Sequence, residues 1–256
     1  MAYIDLRAIS KSFPVEGGEV QALASVSLGI ERGEFISLVG PSGCGKSTLL
    51  RILAGLSRPD SGDAVVDGQA VARPRDDVGI VFQRPVLLPW RRVMDNILLP
   101  VDVARADRAA YRQRAEELIA LVGLQGFADR YPAQLSGGMQ QRVAICRALI
   151  LQPKTLLMDE PFGALDAITR DQMGVELLCI WSEVGATVLF ITHSIPEAVF
   201  LSDRVAVMSR RPGRILEVVE IPLPRPRVLS VLGEPEFGRL TAHIREFVEA
   251  GTGAAA

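Results

Sequence analysis

The stretch F35-I-S-L-V-G-P-S-G-C-G-K-S-T48 decides the fold. FISLV (35–39) is a short apolar run ending at a glycine, the pattern of a strand buried on both faces. Gly40 to Thr48 then fit G-x-x-x-x-G-K-[ST], and the spacing predicts a helix from about Lys46 to Ala54. A glycine-rich turn between strand and helix lets backbone N–H groups point inward around phosphate oxygens, and the helix start adds partial positive charge. Gly40, Pro41, Ser42, Gly43, Cys44, Gly45, Lys46, Ser47 and Thr48 are therefore the expected nucleotide-binding segment. Lys46 is placed to reach the β- and γ-phosphates, and the Ser47 hydroxyl to ligate Mg²⁺. Cys44 fills a variable position. A thiol beside a lysine at a helix start can be reactive, or be tolerated there without a role.

Outward from this loop, apolar strands alternate with helix-period segments, which points to an α/β architecture with a largely parallel sheet. VGIVF (78–82), TLLM (155–158), TVLFIT (187–192) and RVAVM (204–208) read as strands. Tyr111, Ala115, Leu118 and Val122 recur at helical spacing before Gly123; Met139, Val143, Cys146 and Ile150 do so before Pro153. Met173, Leu177, Ile180 and Val184 mark a further helix closed by Gly185. The expected organisation is a single domain over 1–256. Its α/β core covers 1–86 and 151–225, with a helical subdomain at 87–150 and a helical extension or tail at 226–256.

Composition narrows the function. The 256 residues are 48% hydrophobic with a formal net charge of -2, so nothing in the balance calls for nucleic acid. Cys44, Cys146 and Cys179 match no disulfide or zinc spacing, which fits a reducing, cytoplasmic setting. The N-terminus lacks an apolar stretch of signal-peptide length, and the longest apolar runs fall far short of the roughly 20 residues that cross a bilayer.

TLLMDE (155–160) places Asp159 and Glu160 at the end of an apolar strand. There Asp159 can bind Mg²⁺, and Glu160 can polarise a water that attacks a γ-phosphate.

L135-S-G-G-M-Q-Q-R142 lies about ninety residues beyond the loop lysine. Ser136 is a helix N-cap, and Gly137 and Gly138 expose N–H groups at the positive helix end, a second phosphate-binding surface. This segment closely resembles the signature motif of ATP-binding cassette (ABC) ATPases, and the other landmarks of that family follow in order. Phe13 looks like the aromatic that stacks on adenine, a core aromatic being the other reading. Gln83 resembles the glutamine that touches Mg²⁺ and the attacking water, and His193 the switch histidine on the γ-phosphate. G163-A-L-D166 looks like the loop joining two active sites, with Gly163 where the family usually carries serine.

The resemblance implies a P-loop NTPase core of RecA-like type, a mostly parallel sheet plus an N-terminal antiparallel β region, with an inserted α-helical subdomain. It implies ATP and Mg²⁺ as cofactors, with Glu160, His193 and Gln83 catalytic. Ser47, Gln83 and Asp159 would hold the metal. Ser136, Gly137, Gly138 and Gln140 of one subunit would cap ATP held by Lys46 of another in a head-to-tail homodimer. Residues 84–100 are unusually apolar for a connection, which packing of the insert explains in part and a groove for a membrane permease explains further, through Leu87 and Trp90. The segments 160–170, 192–204, 207–214 and 221–230 look like the nitrate, sulfonate and taurine branch of bacterial importers. That implies a peripheral subunit on the cytoplasmic face of the inner membrane, working with a permease and indirectly with a solute-binding protein. As structural readings, RRPGR (210–214) is a basic surface turn and PLPRPR (222–227) a stiff linker. The alternatives are an exporter ATPase, or a DNA-repair or translation ATPase of the same family. The first of those last two carries coiled coils between its motifs, and the second two cassettes.

Overall fold

The computed structural model describes residues 2–163 and 165–251. In chain order the elements are strands β1 (Ile4–Val15), β2 (Gly18–Ile30) and β3 (Phe35–Val39), helix α1 (Lys46–Leu53), and strands β4 (Ser61–Val66), β5 (Gln69–Ala70) and β6 (Val78–Val81). Helices α2 (Val93–Ile97), α3 (Leu99–Val103), α4 (Arg108–Leu121) and α5 (Gly137–Leu149) follow, then β7 (Thr155–Asp159) and α6 (Ala167–Val184). The chain continues through β8 (Thr187–Ile191), α7 (Ile195–Leu201), β9 (Arg204–Met208), β10 (Ile215–Glu220) and α8 (Pro235–Gly251).

Two compact units emerge, residues 1–75 with 186–256, and residues 76–185. The boundaries lie at 75/76 and 185/186, so β6 and β7 group with the helices of the insert; the sequence reading drew the helical subdomain at 87–150.

In the first unit β1 and β2 form a long antiparallel hairpin from Ile4↔Ile30 to Val15↔Gly18, and β4 pairs with the other edge of β1. Ile4, Leu6 and Ile9 are buried against Ala22, Leu23, Val26, Leu28 and Ile30, one apolar face of a sheet whose other side meets water. A second group, in the order β10-β9-β3-β8, is parallel at β3–β8 and β3–β9 and antiparallel only at β9–β10. FISLV and TVLFI are buried at every position, as strands covered on both faces must be. The second unit pairs β6 with β7 in parallel, Val78↔Thr155 to Val81↔Met158. Its helices include α4, N-capped by Asp107, and α5, N-capped by Ser136. These elements make the P-loop NTPase core with an N-terminal antiparallel region and helical insert that the sequence implied.

The C-terminal segment departs from the stiff linker. Arg227 is 5% exposed, and its guanidinium donates to the carbonyls of Val199, Phe200, Ser202, Ile221 and Leu223 at 2.7–3.3 Å. Val199 and Phe200 belong to the last turn of α7, where carbonyls have no partner within the helix. Burial pulls the Arg227 side chain down to about 10, and repulsion from Arg225 adds to that. A single cation thus closes the end of α7 and fixes the strap at 221–227 against it. Residues 226–234 are not helical beyond a short 3-10 turn, and α8 supplies the helix of the extension. The last residues of the expected tail, 252–256, lie outside the described residues.

Replacing Arg227 by leucine leaves those carbonyls without a donor. The expected result is a loss of about 3 kcal/mol of unfolding free energy, read as a melting temperature lower by about 10 °C; calorimetry checks both.

Candidate nucleotide site

The phosphate loop belongs to the first unit. Gly40 takes φ +156 and Gly45 φ +113. A Cβ at Gly40 would lie 2.8 Å from the Met208 carbonyl oxygen, and one at Gly45 would lie 2.6 Å from Leu23 Cδ2 and 2.8 Å from Ala22 O. No side chain fits either place, so β3 can turn into α1 at this distance only through glycine. Gly45 is also the N-cap of α1 and offers no side-chain acceptor, unlike Ser136, Asp166 and Ser194 at the starts of α5, α6 and α7. The start of α1 therefore presents its partial positive charge to an anion with no competing side-chain acceptor at the N-cap position.

Lys46 is buried, and its Nζ donates to Gly40 O at 2.7 Å and Pro41 O at 3.0 Å, lying 3.8 Å from Cys44 Sγ. The ammonium is thus held within the loop by neutral acceptors that an anionic phosphate outcompetes. Ser47 and Thr48 follow on the first turn, both half-buried, while Ser42 and Gly43 face solvent. Cys44 is 1% exposed, so a reactive surface thiol is not present here. His193 is exposed just beyond β8, whose Ile191 pairs with Leu38 of β3. The neighbouring parallel strands end together and set His193 on the same sheet edge as the phosphate loop. Phe13 is 39% exposed on β1, with Lys11 Nζ 5.6 Å from its ring centre, so it is not a core aromatic.

The second unit carries the acidic and signature residues. Asp159 ends β7 and Glu160 follows with φ +45, a left-handed conformation that a non-glycine residue adopts only under constraint. Gln83 Nε2 donates to Glu160 Oε2 at 3.4 Å, bringing the glutamine after β6 onto the carboxylate after β7. Ser136 Oγ accepts from Met139 N at 3.3 Å, and Ser136 and Gly137 face solvent with nothing within 4 Å of a Cβ placed on Gly137. Gln140 turns back, donating to Pro132 O at 3.0 Å and Leu135 O at 3.3 Å, so its amide shapes the approach to the helix. A Cβ at Gly163 would be 3.4 Å from Glu160 O, so serine also fits there; Ala164 of the same loop lies outside the described residues.

The donors read for a metal, Ser47, Gln83 and Asp159, are all oxygen donors, the set that suits a hard cation such as Mg²⁺.

Sequence reading passed over the residues that hold the Gln83 segment. Gln141 donates to Phe82 O at 3.3 Å, and Arg147 donates to Pro85 O at 2.7 Å and Val86 O at 2.8 Å. Val86 has φ +46, an outlier for a β-branched residue, and these bonds grip it from the signature helix α5. Burial lowers the pKa of Arg147. The only hint in the sequence was their place on the signature helix, Gln141 within the motif and Arg147 five residues beyond it. Asn96, fully buried, ties the next turn by bonding Leu88, Arg91 and Arg92 backbone groups.

Beside this segment lies an apolar groove of about 470 Å³, lined by Ile80, Phe82, Val86, Leu88, Val103 and Leu151 among others. Val86 is 60% exposed and nearby Trp90 71%, whereas Leu87 is half-buried. Between Lys46 and Ser136 the longest helix is α4, of 14 residues, which leaves no room for coiled-coil arms. No helix among the described residues is long and apolar enough to cross a membrane.

A phosphate loop on a parallel sheet, with an acidic strand end and an open signature helix, defines a nucleotide-hydrolysing cassette. The family described as ABC transporter matches residues 23–163. The nitrate import ATP-binding protein of Synechococcus elongatus is 45% identical over 250 residues, 96% of this chain and 91% of that protein. The taurine import ATP-binding protein of Pseudomonas aeruginosa is 43% identical over 255 residues, 97% of each chain. A dimeric bacterial ABC transporter cassette superposes with a TM-score of 0.76 and 34% identity, over 86% of this chain and 100% of that one. A dimeric post-hydrolysis cassette bound to ADP and Pi superposes with a TM-score of 0.76 and 33% identity, at the same coverage. The chain belongs to the ABC transporter family and is an ATP-binding ATPase of it.

Arg147→Met removes both bonds to the Gln83 segment. The expected cost is about 2 kcal/mol, with faster amide hydrogen exchange confined to residues around 82–88.

Proposed function

We propose that this protein is the ATP-hydrolysing subunit of an ABC importer, driving uptake of a small solute of the nitrate, sulfonate or taurine kind through a separate permease. The observation that carries the catalytic part is the pairing of Gln83 with Glu160 at 3.4 Å, at the ends of the parallel strands β6 and β7. The importer part is supported by the names of the relatives, which share 43–45% of their residues over nearly the whole chain.

Lys46 and the amides of the phosphate loop bind and orient the β- and γ-phosphates. Glu160 accepts a proton from the attacking water, and Gln83 aligns that water against it. His193 steadies the γ-phosphate from the β8 edge, and Phe13 stacks on adenine. Ser47, Gln83 and Asp159 would hold Mg²⁺, which would supply charge neutralisation at the phosphates.

Ser136 and Gly137 face solvent at an uncrowded helix start, which suits a site completed in a second copy of the chain, Ser136 of one capping ATP on Lys46 of the other. The dimeric cassettes that resemble this chain support that arrangement. Binding then closes the dimer and hydrolysis reopens it, moving the permease. The groove at Phe82, Val86 and Leu88 is the docking place for a short permease helix, since its occupant touches the segment that carries Gln83. The protein accordingly works peripherally at the cytoplasmic face of the membrane, with a solute-binding protein selecting the cargo.

In the Glu160→Gln variant ATP binding should persist, turnover should fall at least about a hundredfold, and size exclusion should show an ATP-dependent dimer. Undiminished hydrolysis sinks the assignment of Glu160. Val86→Asp, which charges the groove, should abolish co-purification with the permease from detergent-solubilised membranes; retained binding sinks the docking site.

A further inference from the structure

The motif S209-R-R-P-G-R214 links β9 to β10, and nothing in the catalytic scheme uses it. It is a closed loop rather than a free surface turn. Ser209 N donates to Arg214 O at 2.9 Å, Arg214 N to Ser209 Oγ at 3.0 Å, and the serine hydroxyl to Arg210 O at 2.8 Å. Gly213 bonds β2 through both backbone groups, its N–H to Ala22 O at 2.9 Å and its carbonyl from Ala24 N at 3.0 Å. Arg210 N reaches Gly251 O at the end of α8 at 3.3 Å, so the loop is anchored from two sides.

This loop forms the outer wall of the phosphate loop. Arg211 Nε and Nη2 both donate to Gly43 O, at 3.1 and 2.9 Å. A Cβ on Gly213 would lie 2.2 Å from Cys44 O, and one on Gly40 would lie 2.8 Å from the carbonyl of Met208, at the root of the same loop. The phosphate loop therefore rests on 208–213 at Gly40, Gly43 and Cys44.

We propose that Arg211 is a positioning residue for nucleotide phosphate, holding the Gly43 peptide in the orientation that phosphate binding requires. In a trans peptide the carbonyl and the next N–H point opposite ways. Tying Gly43 O outward turns Cys44 N–H into the loop, where it reaches Pro41 O at 3.3 Å, an acceptor that Lys46 also uses. Gly43 has φ +74, where glycine flips its flanking peptides at little cost. A flipped peptide would aim a carbonyl at the phosphates, and like-signed partial charges would repel. The forked, charged donor of Arg211 opposes that flip from outside, without touching the nucleotide. This inference rests on nucleotide occupying the phosphate loop of the intact chain.

The test compares ADP and adenosine binding with ATPase kinetics in wild type, Arg211→Ala and Arg211→Lys. If wild type fails to bind ADP, the reading of the phosphate loop itself fails. Given binding, Arg211→Ala should weaken ADP and raise KM for ATP by about tenfold, with kcat changed far less and adenosine binding unaltered. Arg211→Lys should recover part of the loss, since an ammonium gives only one donor along the Gly43 direction. Gly213→Ala, which forces the wall into Cys44 O, should weaken ADP in the same sense and covers the case of an unfolded Arg211→Ala. An unchanged ADP affinity in Arg211→Ala, or an equal loss for ADP and adenosine, overturns the proposal.

Discussion

The turn from β3 into α1 is the constraint on which the rest of the molecule depends. Its backbone passes so close to β2 and to the end of β9 that side chains at Gly40 and Gly45 would overlap Met208 O, Ala22 O and Leu23. Close passage makes the N-cap of α1 a glycine that offers no side-chain acceptor, and Lys46 behind it is buried. The same closeness requires a fully buried β3 below and the hairpin β1–β2 alongside. It also requires a rigid wall at 208–213. A loop that must bind polyphosphate through backbone amides cannot adjust by rotamer changes; its geometry has to be supplied by what packs around it.

The second unit solves a related problem by gripping backbone with side chains. Glu160 and Val86 both hold positive φ, and both adjoin Gln83, through the carboxylate contact and through the chain. Gln141 and Arg147 clamp that strained segment from the helix whose first residue follows Ser136. The signature helix, the glutamine and the apolar groove are thereby parts of one bonded assembly. A contact in the groove acts on the same carbonyls that set Gln83, which is a physical route for coupling within this unit.

Cations facing carbonyls recur throughout the chain. Arg227 closes α7, Arg147 holds the Gln83 segment, Lys46 rests on Gly40 and Pro41, and Arg211 binds Gly43. None of these bonds joins opposite formal charges. Each places a donor-rich side chain on carbonyls left over where regular structure ends, which stabilises a specific backbone path; for Lys46 and Arg227 it does so at the cost of burying charge. The lowered pKa of Arg227 registers that cost, and partial burial lowers that of Arg147 as well.

The sequence by itself determined the local chemistry. Glycine spacing, a lysine and a hydroxyl after a strand, an acidic pair after a second strand, and a serine cap before two glycines each specify a backbone shape within a few residues, where propensity and capping govern. The strand and helix pattern was legible for the same reason, including FISLV, TVLFI and the helices closed at Gly123 and Gly185. Tertiary structure alone decided what lies across the fold: that Phe13 is exposed, that Gln140 folds back on its own loop, that Arg227 is buried, and that RRPGR is a wall of the phosphate loop. These depend on contacts between residues as far apart as 43 and 211, for which neither periodicity nor spacing carries a signal, because a basic turn reads the same whether it faces water or a carbonyl.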